Sequence, residues 1–85
     1  MPKGAGLEWR SGTVTVGNPV QFHIHPGPHL LVPTDPVMVD REGRGTIRLN
    51  KNEPLLVFAE ENHRLWIKDG DVPAGYTCIG FEGRL

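Results

Sequence analysis

The chain alternates in short runs. Val20, Phe22 and Ile24 recur with period two, with Gln21, His23 and His25 between them, which predicts a strand with one apolar side and one imidazole side. Residues 11–16 predict a similar strand, with Thr13 and Thr15 opposed to Val14 and Val16, and Gly17-Asn18-Pro19 predicts the turn after it. Residues 29–32 form an apolar run closed by Pro33 and Pro36, and prolines at its ends predict an edge strand or a loop crossing. Residues 37–40 and 44–49 predict a hairpin around Arg41-Glu42-Gly43, with Gly43 free to take positive φ. Residues 76–82 predict the last strand, with Thr77, Ile79 and Phe81 on one side.

Residues 54–69 read two ways. The preferred reading is two strands, 55–59 and 64–67, separated by Glu60-Glu61-Asn62-His63. The other is a helix opened by Pro54 and ended at Gly70, which would gather Leu55, Phe58, Ala59, Asn62, Leu65 and Trp66 on one face. The expected fold class is therefore all-β. It is a small β-barrel or β-sandwich of about seven short, mainly antiparallel strands, with at most one short helix within 54–69.

Composition narrows this further. The chain has 85 residues, enough for one domain, with 1–10 expected as an N-terminal arm and 11–85 as a single β domain. Five prolines between positions 19 and 36 forbid a helix there, because each removes a donor and clashes with the preceding turn. The formal net charge of −1 gives no electrostatic reason to bind nucleic acid or an anionic membrane. Arg41, Arg44, Arg48 and Lys51 cluster around the hairpin, but Asp40, Glu42 and Glu53 dilute them, so no nucleic-acid residues are expected. The N-terminus lacks the apolar stretch of a signal peptide, and the longest apolar run, 55–59, is too short to span a bilayer. The expected location is cytoplasmic or in a virion. Cys78 is the single cysteine, flanked by Thr77 and Ile79, and reads as a buried thiol rather than a nucleophile.

The candidate chemistry lies in one stretch, His23-Ile24-His25-Pro26-Gly27-Pro28-His29. Histidines at i and i+2 of a strand point the same way, and a third after a tight turn can fold back towards them. Neutral imidazoles suit zinc, iron or nickel. A further donor or an acceptor for the rings could come from Cys78, Glu82, Asp35 or His63, or the site could be shared between subunits on a symmetry axis. Gly17, five residues, His23-Ile24-His25, three residues and His29 resembles the first cupin motif, and Pro73-Ala74-Gly75 with Cys78 is similar to the second. That resemblance implies histidines and a glutamate around a metal inside a β-barrel, often for oxygenase or isomerase chemistry. It is partial. His29 stands for the glutamate and Pro36 for the first motif's closing glycine. Ile67 stands for the glycine that opens the second motif, Cys78 for its histidine and Glu82 for its asparagine.

The primary expectation is a non-enzymatic β-module that acts through protein–protein contacts. It would be an accessory or structural subunit of a larger assembly, such as a phage particle component, a homo-oligomer, or a small protein inhibitor, with no cofactor and no catalytic residues. Its expected contact residues are Leu7, Trp9, Leu30 and Leu31. The alternative is a metal-binding, cupin-like β-barrel built on His23, His25 and His29, with catalysis left open.

Overall fold

The computed structural model describes residues 6–81 and 85. Eight strands follow one another: β1 (Leu7–Val14), β2 (Val20–His23), β3 (His29–Pro33), β4 (Val37–Arg41), β5 (Gly45–Leu49), β6 (Leu55–Val57), β7 (His63–Trp66) and β8 (Ala74–Phe81). They form two four-stranded sheets, one ordered β1-β8-β3-β6 and the other β2-β7-β4-β5. Every pairing within them is antiparallel. The fold is all-β, and segment 54–69 is two strands. Among the described residues no helix is long and apolar enough to cross a membrane.

The core lies between the sheets and is built from alternate residues of each strand. Leu31 and Cys78 come from one sheet, and Val37, Val39, Leu49 and Leu65 from the other. The β4–β5 hairpin places Gly43 at φ +83° and Gly45 at φ +80°, conformations in which a Cβ would clash, so both ends of the turn rest on glycine.

Three local expectations change. Residues 7–10, expected in the arm, pair along β8 from Leu7↔Phe81 to Arg10↔Cys78. Residues 1–5 of that arm lie outside the described residues. β3, expected at an edge, is an interior strand between β8 and β6. Its prolines permit this because Pro28 lies outside the strand and Pro33 ends it; the Pro33 carbonyl accepts from the Asn52 N–H at 2.8 Å. Leu31, expected as a contact residue, is 1% exposed in the core, whereas Leu30 is 41% exposed. Once β3 is interior, neighbouring residues must face opposite sides of the sheet, so Leu30 and Leu31 cannot share a surface.

The alternation at β2 is also broken. Val20 pairs with Leu65 and His23 with His63, and the register shifts between them. This irregularity lets Val20 pack against the core while His23 also turns inward, and it leaves Phe22 and Ile24 on the outside, 47% and 58% exposed.

Leu31→Ala should lower the urea-unfolding free energy by about 2–5 kcal/mol, the range for truncating a buried leucine, while Leu30→Ala should cost under about 1 kcal/mol. Equal losses would show that the two side chains share one environment.

Candidate metal centre

Four imidazoles converge between the sheets. His23 and His63 face each other across the β2–β7 pair, with ring centroids 4.3 Å apart. The loop after β2 brings His25 to 4.9 Å from His23, and the start of β3 brings His29 to 4.2 Å from His25. His29 lies 5.4 Å from His63. The ligand-type nitrogens of His23, His25 and His63 all lie within 4.8 Å of one another.

Backbone carbonyls orient two of these rings. His23 Nδ1 lies 2.7 Å from the Gln21 carbonyl and His63 Nδ1 lies 2.7 Å from the Glu61 carbonyl. A carbonyl can only accept, so each Nδ1 carries the proton and each Nε2 keeps its lone pair for a ligand. His25 Nε2 and His29 Nε2 are buried with no hydrogen-bond partner. His29 Nδ1 is likewise buried without a hydrogen-bond partner. Buried polar atoms are nearly always paired, so orphaned imidazole nitrogens in one group of rings fit an electrophile as their missing partner.

The rest of the site is held by the turn between β6 and β7. Glu61 accepts from Arg44 at 2.7 Å and from the Phe58 N–H at 3.1 Å, and the Arg44 guanidinium lies 3.8 Å over the Phe58 ring. Arg44 holds the Glu61 carboxyl below the usual carboxylate range, so it stays ionised and committed to this turn. The Glu60 N–H donates to the His25 carbonyl at 2.8 Å, tying the turn that carries His63 to the loop that carries His25.

Three of the rings are held towards the neutral form. Burial, followed by the other imidazoles, pushes His25 down to about 4 from 6.5. Burial and His63 do the same for His29, also to about 4, and burial lowers His63. Unprotonated rings are the form that binds metal.

Of the other residues singled out by sequence, Cys78 is buried and its thiol is pushed up to about 11 by burial, so it offers neither a thiolate ligand nor a nucleophile. Asp35 accepts a hydrogen bond from the Thr34 hydroxyl at 3.1 Å and is not part of the cluster. Glu82 lies outside the described residues. Leu7, Trp9 and Leu30 are exposed.

No protein-family model matches the sequence, and no curated protein is similar to it. Solved structures share its fold. A cupin 2 domain-containing protein from Halorhodospira halophila superposes with a TM-score of 0.78 at 19% identity, over 93% of this chain and 54% of that one. The DMSP lyase DddQ from Ruegeria pomeroyi superposes at 0.77 and 18% identity, over 91% and 38%. The polyketide cyclase RemF from Streptomyces resistomycificus superposes at 0.72 and 16% identity, over 92% and 56%. The chain thus spans between about a third and just over half of each of these proteins.

These findings correct the primary expectation. A non-enzymatic contact module or phage component gives no reason to gather four imidazoles, three of them buried, against one another, and the fold is shared with a cupin 2 domain-containing protein, a lyase and a cyclase. His23, His25 and His63 could hold a metal ion, which fits the alternative reading's metal site with His63 in the place it gave to His29.

The correspondence also shifts. The sequence sets the second cupin pattern on Ile67 to Glu82, but the histidine that joins the first group is His63. Moved fifteen residues upstream, the same spacing runs Asn52, five residues, Phe58, one residue, Glu60, two residues, His63. Its two glycine positions fall on Asn52 and Glu60, the two described non-glycine residues with positive φ, +61° and +58°. Both residues take the backbone conformation that glycine favours. His63 was legible only as one of several fourth donors because the residues that mark its motif are absent from the sequence.

Metal-free protein should lose stability in acid, with the sign set by depressed histidine pKa values. The unfolded chain protonates near 6.5 and the folded His25 and His29 near 4, so stability is full above pH 6.5 and falls as pH drops towards 4. Chemical denaturation in chelator should show a loss on the order of 3–5 kcal/mol across that window, the coupled rings sharing the effect. A flat profile would contradict a buried neutral cluster.

Proposed function

We propose that this protein is a metal-binding, cupin-like domain that holds one divalent first-row transition ion through His23, His25 and His63, with His29 as a fourth nitrogen donor. The observation that carries the reading is the set of buried, unpaired Nε2 atoms on His25 and His29 beside two rings whose Nδ1 protons are already spoken for by carbonyls. Zinc, iron and nickel are the ions suited to an all-imidazole set.

The donor set is uncharged. Among the described residues no carboxylate belongs to the cluster, and Glu61 is tied to Arg44. When bound, the ion would supply Lewis acidity to an oxygen-bearing ligand. With only neutral donors its full positive charge would remain, and Arg10 adds to the positive field at His25. This electrostatics favours a small anionic substrate, such as a carboxylate. His23 and His63 would keep the ligand nitrogens oriented through their Nδ1–H bonds, and the surrounding Leu and Val side chains would exclude water. The lyase and cyclase among the structural neighbours agree with a catalytic use of such a site.

The chain purified without a tag should bind one divalent ion per subunit in metal analysis and calorimetry. His25→Ala and His63→Ala should each weaken binding by roughly 100-fold or more. Free ion at about 100 times its dissociation constant should stabilise the wild type by about 2.7 kcal/mol and leave the double variant unmoved. Unchanged binding in the double variant would refute the site.

A further inference from the structure

The inner side of the β1-β8-β3-β6 sheet changes character along its length. At one end β1 and β8 pair Val14 with Ala74, both fully buried. One pleat on, Gly12 leaves room for the Tyr76 ring, because a Cβ there would stand 2.5 Å from the Tyr76 hydroxyl oxygen. The next pair is Arg10 with Cys78, and the one after it Glu8 with Gly80. Directly opposed residues share a face of the sheet, and Cys78 belongs to the core, so Arg10 projects from the inner side. The imidazoles lie at that same end, with the His29 Cβ 3.6 Å from where a Cβ on Gly80 would stand.

Arg10 is nevertheless exposed, while Cys78 opposite it is buried. An inward side chain that solvent reaches marks a place where the second sheet does not cover the first. His23, half-buried, is the accessible ring of the cluster, and the other three are buried. Burial is the larger influence on both His25 and Cys78, but the charge of Arg10 lowers each, so the guanidinium lies within electrostatic range of the cluster. Among the described residues it has no protein partner. Arg44, Arg48 and Arg64 pair with Glu61, Asp71 and Asp40, and Arg41 donates to the Arg44 and Gly45 carbonyls. No ion pair among the described residues joins Arg10 to Glu8 on the same side of β1. A rigid fork of donors at the opening of a site suits an incoming carboxylate.

We propose that Arg10 anchors the carboxylate of the substrate. The ligand is a small acid that pairs its carboxylate with the guanidinium and turns a second oxygen, a hydroxyl or carbonyl, towards the histidines. This deepens the metal-site reading and rests on it for the ion alone. Glu8 stands one pleat from Arg10, so a doubly charged phosphate would be repelled more than a singly charged carboxylate. Holding the carboxylate on Arg10 also leaves the neighbouring oxygen as the one that Lewis acidity would polarise.

Glycolate is the probe, a carboxylate with one adjacent hydroxyl, and glycolamide is its uncharged counterpart. Zinc binding is measured first, so that failure of the metal site is seen by itself. Glycolate titration of the metal-free protein, followed by NMR shifts of the Arg10 side chain and the β1 amides, tests the arginine whether or not zinc binds. The wild type should bind glycolate at roughly 1–10 mM, and more tightly when loaded with zinc. Arg10→Gln should weaken glycolate binding by at least about 10-fold. It should leave zinc affinity undiminished, since it removes a positive charge near a cation site. Arg10→Lys keeps the charge without the fork, should fall between the two, and serves if Arg10→Gln does not fold. Lys68→Gln removes the same charge from an exposed position elsewhere and should change glycolate affinity by less than about twofold. The proposal is overturned if Arg10→Gln binds glycolate as the wild type does, if Lys68→Gln costs as much, or if glycolamide binds as tightly as glycolate. A wild type that shows no shift up to about 100 mM glycolate overturns it too.

Discussion

The packing of four imidazoles in one small core, three of them buried, is the constraint on which the rest of this structure depends. Each ring excluded from water must find partners for two nitrogens or stay neutral at a cost. The fold answers with two backbone carbonyls, those of Gln21 and Glu61, each taking one Nδ1 proton. The register shift in β2 follows from the same need, because it turns His23 inward without exposing Val20. The Arg44–Glu61 pair and the Glu60-to-His25 hydrogen bond fix the turn that delivers His63. Remove the cluster, and these devices have no evident purpose in a domain of this size.

The two sheets divide the remaining work. One turns a salt-bridged face to solvent, where its ion pairs add little stability but keep the surface wet. The other turns an uncharged apolar face outward, with a groove whose wall includes His29. The two sides meet at β3, where His29 turns into the core and Leu30 to the outer face.

The chemistry of this chain is not legible from its residues one at a time. Taken singly, His23, His25 and His29 form a common spacing, and His63 is one histidine in a polar turn. The primary expectation of a contact module followed from that subtraction. The structure replaces it because the chemistry resides in the convergence of two segments 34 residues apart, His29 and His63. The exposed residues picked out beforehand, Leu7, Trp9 and Leu30, do share one face, whereas Leu31 does not, because strand alternation sends it into the core.

The sequence by itself determined the class of fold. Period-two runs and closely spaced prolines leave short strands as the only local option through residue 36, and Gly43 sets the hairpin that follows. It also placed His23, His25 and His29 within reach of one another, since a strand and a tight turn fix such distances locally. Only the tertiary structure decided the rest. Which strands pair, that β3 is interior, and that β7 lies beside β2 are set by non-local burial, which no local pattern encodes. The fourth imidazole is the clearest case. No glycine marks the turn before it, and Asn52 and Glu60 take positive φ because the surrounding hydrogen bonds and packing hold them there.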